Sequence, residues 1–189
     1  MTIDFEAARQ IMVDSQVRVN DVPDLTIQHA MRRVPREQFA PQDKGWLAYA
    51  DAEVEYAPGR WLLRPRDLAK ALHALKPKAG ETALAVAAPY AAAVLAEMGL
   101  TVTRLDEGDL TAPKGVYDVI VCEGAVSAPP AGWLAALSPK GRAAVVVRNG
   151  PVGKLRLYTK GEGDLGWREV FDATPPVLAG FEAEPKFAF

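Results

Sequence analysis

The stretch ETALAVAAPYAAAVLAEMG, residues 81 to 99, reads as a buried strand that turns sharply into an Ala-rich helix. A strand delivered to a helix N-terminus gathers backbone N–H groups at the positive end of the helix dipole, the usual opening of a site for a nucleotide-type cofactor. Such turns ordinarily use glycine, which reaches φ > 0 and lets a ligand approach the backbone. Here the turn is Ala87-Ala88-Pro89 before Tyr90. Pro89 has no N–H and a fixed φ. Glu123 and Gly124 follow the apolar run YDVIVC and are candidates for a pocket lining, because open α/β sheets bind ligands beyond their strand carboxyl ends. Cys122 closes that run with no histidine near it in sequence, so it reads as a small buried hydrophobe. His29 and His73 fall on separate predicted helices without metal-ligand spacing, and no metal site is expected. Arg60 and Arg64 could attract an anion. Arg9, Arg18, Arg32 and Arg33 read as a solvated helical face.

The elements that must position these residues fall into two unequal parts. Residues 1–60 are expected to form an N-terminal helical lobe packed on the core, and residues 61–189 a shortened α/β domain. In the first part, FEAARQIMVDSQVRV and DLTIQHAMRRV are helical stretches, the second capped by Asp24 and closed before Pro35. PREQFAPQDKGWLAYADAEVEYAPGR reads as irregular. In the second part, Leu68, Leu72 and Leu75 mark one apolar helical face. Strand TALAVA, helix YAAAVLAEMG, strand LTVTRL, strand YDVIVCEG, helix AGWLAALSPKG and strand RAAVVVR follow in turn. KLRLYTK and WREVFDA, joined by GEGDLG, read as an antiparallel hairpin. Strands alternating with short helices predict a mostly parallel α/β sheet with that hairpin at its edge.

Composition narrows the setting. The chain of 189 residues is 49% hydrophobic and 24% charged, and 22 basic against 24 acidic residues leave a formal charge of −2. That balance gives no electrostatic reason to expect nucleic acid or a membrane surface as a partner. A single cysteine and an N-terminus without a basic start or apolar run lead us to expect a reducing, cytoplasmic setting.

Several blocks converge on one family. AMRRVPREQFAP followed by AYADAEVEYAPGR resembles the N-terminal signature of the protein-L-isoaspartate O-methyltransferases. YDVIVCEGAVSAPPAGWLAALSPKGRAAVVV resembles their central strand, helix and next strand, and LRLYTKGEGDLGWREVFDATPPVLAGF their closing hairpin and Pro-Leu-x-Gly ending. The resemblance implies a Rossmann-like methyltransferase fold. It also implies S-adenosylmethionine as cofactor and methylation of the abnormal carboxylate of isoaspartyl residues, which returns damaged proteins to aspartate through a succinimide.

Three features depart from the family pattern. Trp61 and Leu63 stand where the family places the hydroxyl residues that face the accepting carboxylate, and neither offers a hydroxyl. The cofactor turn is about two residues short, with Ala87 and Tyr90 at its ends, although Asp106 keeps the position of the ribose-binding acid. Only ten residues separate Asp106 from Tyr117, where the family places a helix and a strand. A crossover of that kind needs at least about a dozen.

The expectation is therefore a sheet shortened by one edge unit, with the N-terminal helices packed near the strand carboxyl ends and Trp61 filling part of the former substrate cleft. Ala87, Tyr90, Asp106, Glu123 and Gly124 are the residues expected to border the cofactor crevice, with cofactor binding weak or lost. No catalytic residue is expected. The chain reads as a binding or interaction protein that engages a protein or peptide at the former cleft, the alternative being an active carboxyl methyltransferase rebuilt on Arg60, Arg64, Asp106 and Glu123.

Overall fold

Helices occupy the chain before any strand forms. In the computed structural model, which describes residues 3–183, α1 (Phe5–Met12) is capped by Asp4, whose carboxylate accepts from the Ala7 N–H at 3.0 Å. It continues into one π-helical turn, Val13–Val17. α2 (Leu25–Arg33) is capped by Asp24, as its sequence indicates, and ends at Val34, which is extended because Pro35 follows it.

The next segment, expected to be irregular, is ordered. Two 3-10 segments, Arg36–Phe39 and Gln42–Tyr49, lead to a small hairpin of β1 (Val54–Ala57) and β2 (Arg60–Leu62). Its turn is Pro58-Gly59, with Gly59 at φ +67°, and a Cβ there would lie 2.7 Å from the Ala179 Cβ. The buried ends, Val54 and Leu62, pair with each other and anchor the hairpin to the core. α3 (Pro65–Leu75) then buries Leu68, Leu72 and Leu75 on one face.

The main sheet contains β3 (Thr82–Val86), β4 (Thr101–Leu105), β5 (Tyr117–Val126), β6 (Leu137–Val147), β7 (Lys154–Lys160) and β8 (Leu165–Asp172). Its order is β4-β3-β5-β6-β7-β8, parallel from β4 to β6 and antiparallel from β6 to β8. α4 (Pro89–Glu97) connects β3 to β4 and α5 (Ala131–Ala135) connects β5 to β6. Among the described residues no strand lies between Asp106 and Tyr117, so β4 is the sheet edge.

The helix expected over AGWLAALSPKG is a single short turn, and Ser138 to Gly141 belong to β6 instead. Ser138 Oγ donates to Asp118 Oδ1 at 2.7 Å, drawing the segment onto β5. Lys140 takes φ +68° where the β5–β6 register shifts.

Two apolar layers flank the sheet. One unites α3, α4 and the N-terminal helices with Ala83, Ala85, Val119 and Val121. The other, on Leu84, Val86, Ile120 and Val145, is closed by Trp133 of α5 and by the link after β4. The fully buried Trp133 donates its indole N–H to the Leu110 carbonyl at 2.6 Å, pinning that link across the sheet face. Gly132 permits the approach, since a Cβ would fall 2.2 Å from the Thr111 carbonyl oxygen.

Candidate functional site

Register places the candidate residues at one level. Val86 pairs with Leu105 on one side and with Cys122 on the other, so the residues that follow, Ala87, Asp106 and Glu123, emerge together at the strand carboxyl ends. Gly124 follows directly. This is the crevice in which an open α/β sheet receives a ligand.

The β3–α4 turn keeps the backbone of a glycine turn without the glycine. Ala87 sits at φ +44°, a left-handed conformation that costs a non-glycine residue about 1–2 kcal/mol. Its N–H is spent on the Leu105 carbonyl at 2.9 Å, extending the β3–β4 ladder. Ala87, Ala88 and Tyr90 are each 0% exposed, and Pro89 is buried with them.

Glu123, also 0% exposed, occupies the helix start. Its Oε1 accepts from the Ala91 N–H and its Oε2 from the Leu63 N–H, both at 2.8 Å. The carboxylate thus satisfies one of the orphan donors in the first turn of α4 and lies at the positive end of its dipole. Burial pushes the Glu123 carboxyl above the ordinary range, while the nearby Arg36 guanidinium and the two N–H donors oppose that shift.

Arg36 is itself fully buried. Its Nε donates to the Ala48 carbonyl at 2.7 Å and its Nη2 to the Leu63 carbonyl at 2.5 Å, and the guanidinium stacks 4.6 Å from the Tyr90 ring centroid. Burial lowers its affinity for the proton, and Tyr90 and Glu123 counter this. Phe39 meets the same ring edge-on at 5.6 Å. The Arg36–Phe39 segment therefore packs over the start of α4.

A C-terminal segment closes the crevice from the other side. Ala125 donates to the Pro176 carbonyl at 3.0 Å and Leu178 donates back to the Ala125 carbonyl at 2.8 Å. Gly124, at φ +128°, accommodates this because a Cβ would lie 2.6 Å from Leu178 Cδ2.

At β4 the crevice is less closed. Asp106 Oδ2 accepts from Arg104 Nη2 at 2.6 Å, whereas its Oδ1 is buried and has no hydrogen-bond partner. Tyr56 Oη and Arg60 Nη1 are likewise buried and unpartnered, and the Tyr56 phenol lies within electrostatic reach of Asp106, Arg60 and Glu123.

The structure does not bring all sequence candidates together. Arg64 pairs with Glu53 at 2.9 Å, and Trp61 is half-buried on β2 opposite Glu55. Leu63 belongs to the site through its backbone rather than its side chain. Cys122 is 1% exposed, with its thiol pushed far up by burial and by Glu123. Arg9 and Arg32 are not free surface cations: Arg9 donates to Tyr49 Oη and Arg32 to Asp14, tying the first helices to their neighbours. No group of residues suited to hold a metal occurs among those described.

Arg36 and Leu178 are the site residues that sequence reasoning passed over, although both lie in blocks that carry the resemblance, VPREQF and PPVLAGF. No helix among the described residues is long and apolar enough to cross a membrane.

These features define a Rossmann-like methyltransferase sheet with N-terminal helices packed on one face and the Arg36–Phe39 segment over the start of α4. No family model matches the chain. It is 32% identical over 189 residues to the protein-L-isoaspartate O-methyltransferase of Methylorubrum extorquens (strain PA1), covering 84% of this chain and 82% of that protein. A relative of the same name from Aeropyrum pernix is 28% identical, covering 90% and 74%. The match to protein-L-isoaspartate O-methyltransferase 1 of Rhodopseudomonas palustris (strain HaA2), at 37% identity, spans 58% of this chain and 46% of that one. Among solved structures, a Plasmodium falciparum protein-L-isoaspartate O-methyltransferase in complex with S-adenosyl-L-homocysteine superposes with a TM-score of 0.75 at 15% identity, over 90% of this chain and 97% of that one. The chain belongs to the protein-L-isoaspartate O-methyltransferase family.

Proposed function

We propose that this chain has ceased to transfer methyl groups and serves as a binding or interaction protein on a methyltransferase scaffold. The observation that carries the reading is that the β3–α4 turn and Glu123 are buried by the chain itself, with Ala87, Ala88, Tyr90 and Glu123 all 0% exposed. A turn that receives a ligand must offer it surface. On this reading S-adenosylmethionine meets a helix start whose Ala91 N–H already serves an internal carboxylate and whose first residue, Pro89, has no N–H. The residues present do not fit it. Trp61 and Leu63, in place of hydroxyl residues, leave an accepting carboxylate without its donors. A protein or peptide partner at the former cleft is the corresponding expectation.

Thermal unfolding with S-adenosylmethionine tests this without requiring the correct substrate. A ligand at 100 times its Kd stabilises the folded state by about 2.7 kcal/mol. At roughly 2–4 °C per kcal/mol for a chain of this size, an intact site would raise Tm by about 5–10 °C. The expected shift is within noise for both S-adenosylmethionine and S-adenosylhomocysteine. A saturable rise that weakens in Asp106→Ala would reverse the reading.

The second reading is an active carboxyl methyltransferase, favoured by the unpartnered buried atoms of Tyr56, Arg60 and Asp106. It requires methylation of an isoaspartyl peptide above a no-enzyme control, lost in Asp106→Ala.

A further inference from the structure

The opposite end of the sheet carries a different kind of surface. At the strand amino ends an open groove of about 540 Å³ is bordered by Lys76, Lys78, Lys140, Arg142 and Arg168. Arg142 is neutralised there: its Nη1 and Nη2 each lie 2.8 Å from the Glu81 carboxylate. Among the described residues the other four cations have no carboxylate within ion-pair distance. An adjoining groove shares Lys76 and Arg168 and adds Lys70 and His73, with Asp21 as its one carboxylate. In a chain of formal charge −2, this is a local concentration of positive charge that the net balance conceals.

Two of the lysines stand where glycine would be easier. Lys76 has φ +49° at the end of α3 and Lys140 has φ +68° in the turn within β6. Both are left-handed positions, which L side chains resist and glycine adopts freely. The negative end of the α3 dipole accounts for a cation at Lys76. It does not account for Lys140, which lies within β6 and belongs to no helix. The two strained positions converge on one groove, and strain retained in a cluster points to use.

We propose that this groove binds an acidic segment of a partner protein. Leu75 and Leu157 also line it but are nearly covered, so recognition falls to the cations. No aromatic side chain lines it, which removes the stacking platform that single-stranded nucleic acid uses. Three of the four available cations are lysines, point charges that suit dispersed carboxylates, whereas phosphate-motif sites cluster arginines. The groove is remote from the crevice, so the proposal stands whether or not the crevice holds a cofactor.

The test is fluorescence anisotropy of the full chain with a fluorescein-labelled peptide of repeating Glu-Glu-Leu. The wild-type chain should bind at low salt and release as salt rises. The double variant Lys76→Gly, Lys140→Gly should bind at least about tenfold more weakly. Because glycine relieves both left-handed positions, that variant should keep or raise its Tm, which separates lost binding from lost folding. Absence of binding, or binding unchanged in the folded double variant, overturns the proposal. So does tighter binding to oligo-dT or to phosphatidylserine vesicles than to the peptide.

Discussion

The two halves of the crevice have met different fates. At the start of α4 the groups are sealed from solvent: Glu123 takes the Ala91 and Leu63 N–H groups, Arg36 lies close enough to offset its charge, Leu178 closes over Gly124, and even the unpartnered Tyr90 Oη and Arg36 Nη1 belong to fully buried residues. At the end of β4, Asp106 keeps one buried oxygen without a partner, and Tyr56 and Arg60 bring two more unpartnered atoms to the same rim. The first half has become part of the core, while the second still has the polarity of a surface that meets something polar. Loss of a ligand site need not be uniform. The helix N-terminus strongly favours an anion, so a single internal carboxylate can fill it, whereas no equally simple replacement satisfies a carboxylate at a sheet edge.

The largest consequence of that contrast falls on Glu123. Glu123→Ala removes the acceptor of two buried N–H groups and leaves Arg36 buried without the nearby negative charge. Leaving a buried donor unsatisfied costs about 1–3 kcal/mol, and here there are two. Chemical denaturation should register a loss of that order. A loss below about 1 kcal/mol would mean that the turn is not held by Glu123, and the contrast between the halves would fail.

Titration should separate the crevice from the other end of the sheet by sign. The Glu123 carboxyl lies above its unfolded value of about 4.3, so its contribution is fully present below that pH and is lost as pH rises through the folded pKa. Asp118 behaves oppositely. The Thr82 N–H and the Ser138 hydroxyl hold its carboxyl below the usual range, so its contribution is present above about 3.9 and is lost as pH falls through the folded pKa. Urea midpoints measured across pH should show the wild-type advantage over Glu123→Gln shrinking upward, and that over Asp118→Asn shrinking downward. Parallel behaviour of the two variants would refute the assignment.

Much of this was legible in the chain. Asp24 before an apolar period marked α2, the Gly-rich GEGDLG marked the β7–β8 turn, and the ten residues after Asp106 were too few for another crossover. Those signals are local. The small hairpin was also locally encoded, in the Pro58-Gly59 turn between Val54 and Leu62, but its strands are too short to show a period. Glu123 was recognised as a crevice residue, yet its role was not readable, because its two partners lie 32 and 60 residues away and are backbone N–H groups. A backbone donor leaves no residue type to find. Arg36 was hidden similarly, since both its partners are carbonyls supplied by other segments.

A smaller effect sharpens the history of the turn. Ala85 and Ala87 are both fully buried, but only Ala87 is left-handed. Each change to glycine forfeits a methyl group, about 0.8 kcal/mol, and adds about 0.5–1 kcal/mol of chain entropy to the unfolded state. Only Ala87→Gly recovers the left-handed cost of about 1–2 kcal/mol. Ala85→Gly should therefore destabilise by about 1–2 kcal/mol and Ala87→Gly by less than about 1 kcal/mol. Equal losses would show that the φ at Ala87 stores no strain.

The smallest expected effect is at Asp106, and it is the sharpest check on the comparison. Its pair with Arg104 is formed by a guanidinium side chain that is 53% exposed, and such pairs contribute about 0–1 kcal/mol. Against that gain stands Oδ1, a buried acceptor without a donor, which carries a desolvation cost of similar or greater size. Asp106→Asn removes the charge, weakens the pair and lets the amide present either atom to the unpartnered side. The two changes oppose, so thermal and urea unfolding should move by no more than about 0.5 kcal/mol in either direction. A loss approaching that of Glu123→Ala would show the β4 end to be as firmly locked as the α4 end, and the crevice would then be a single closed core rather than one sealed half beside one still polar.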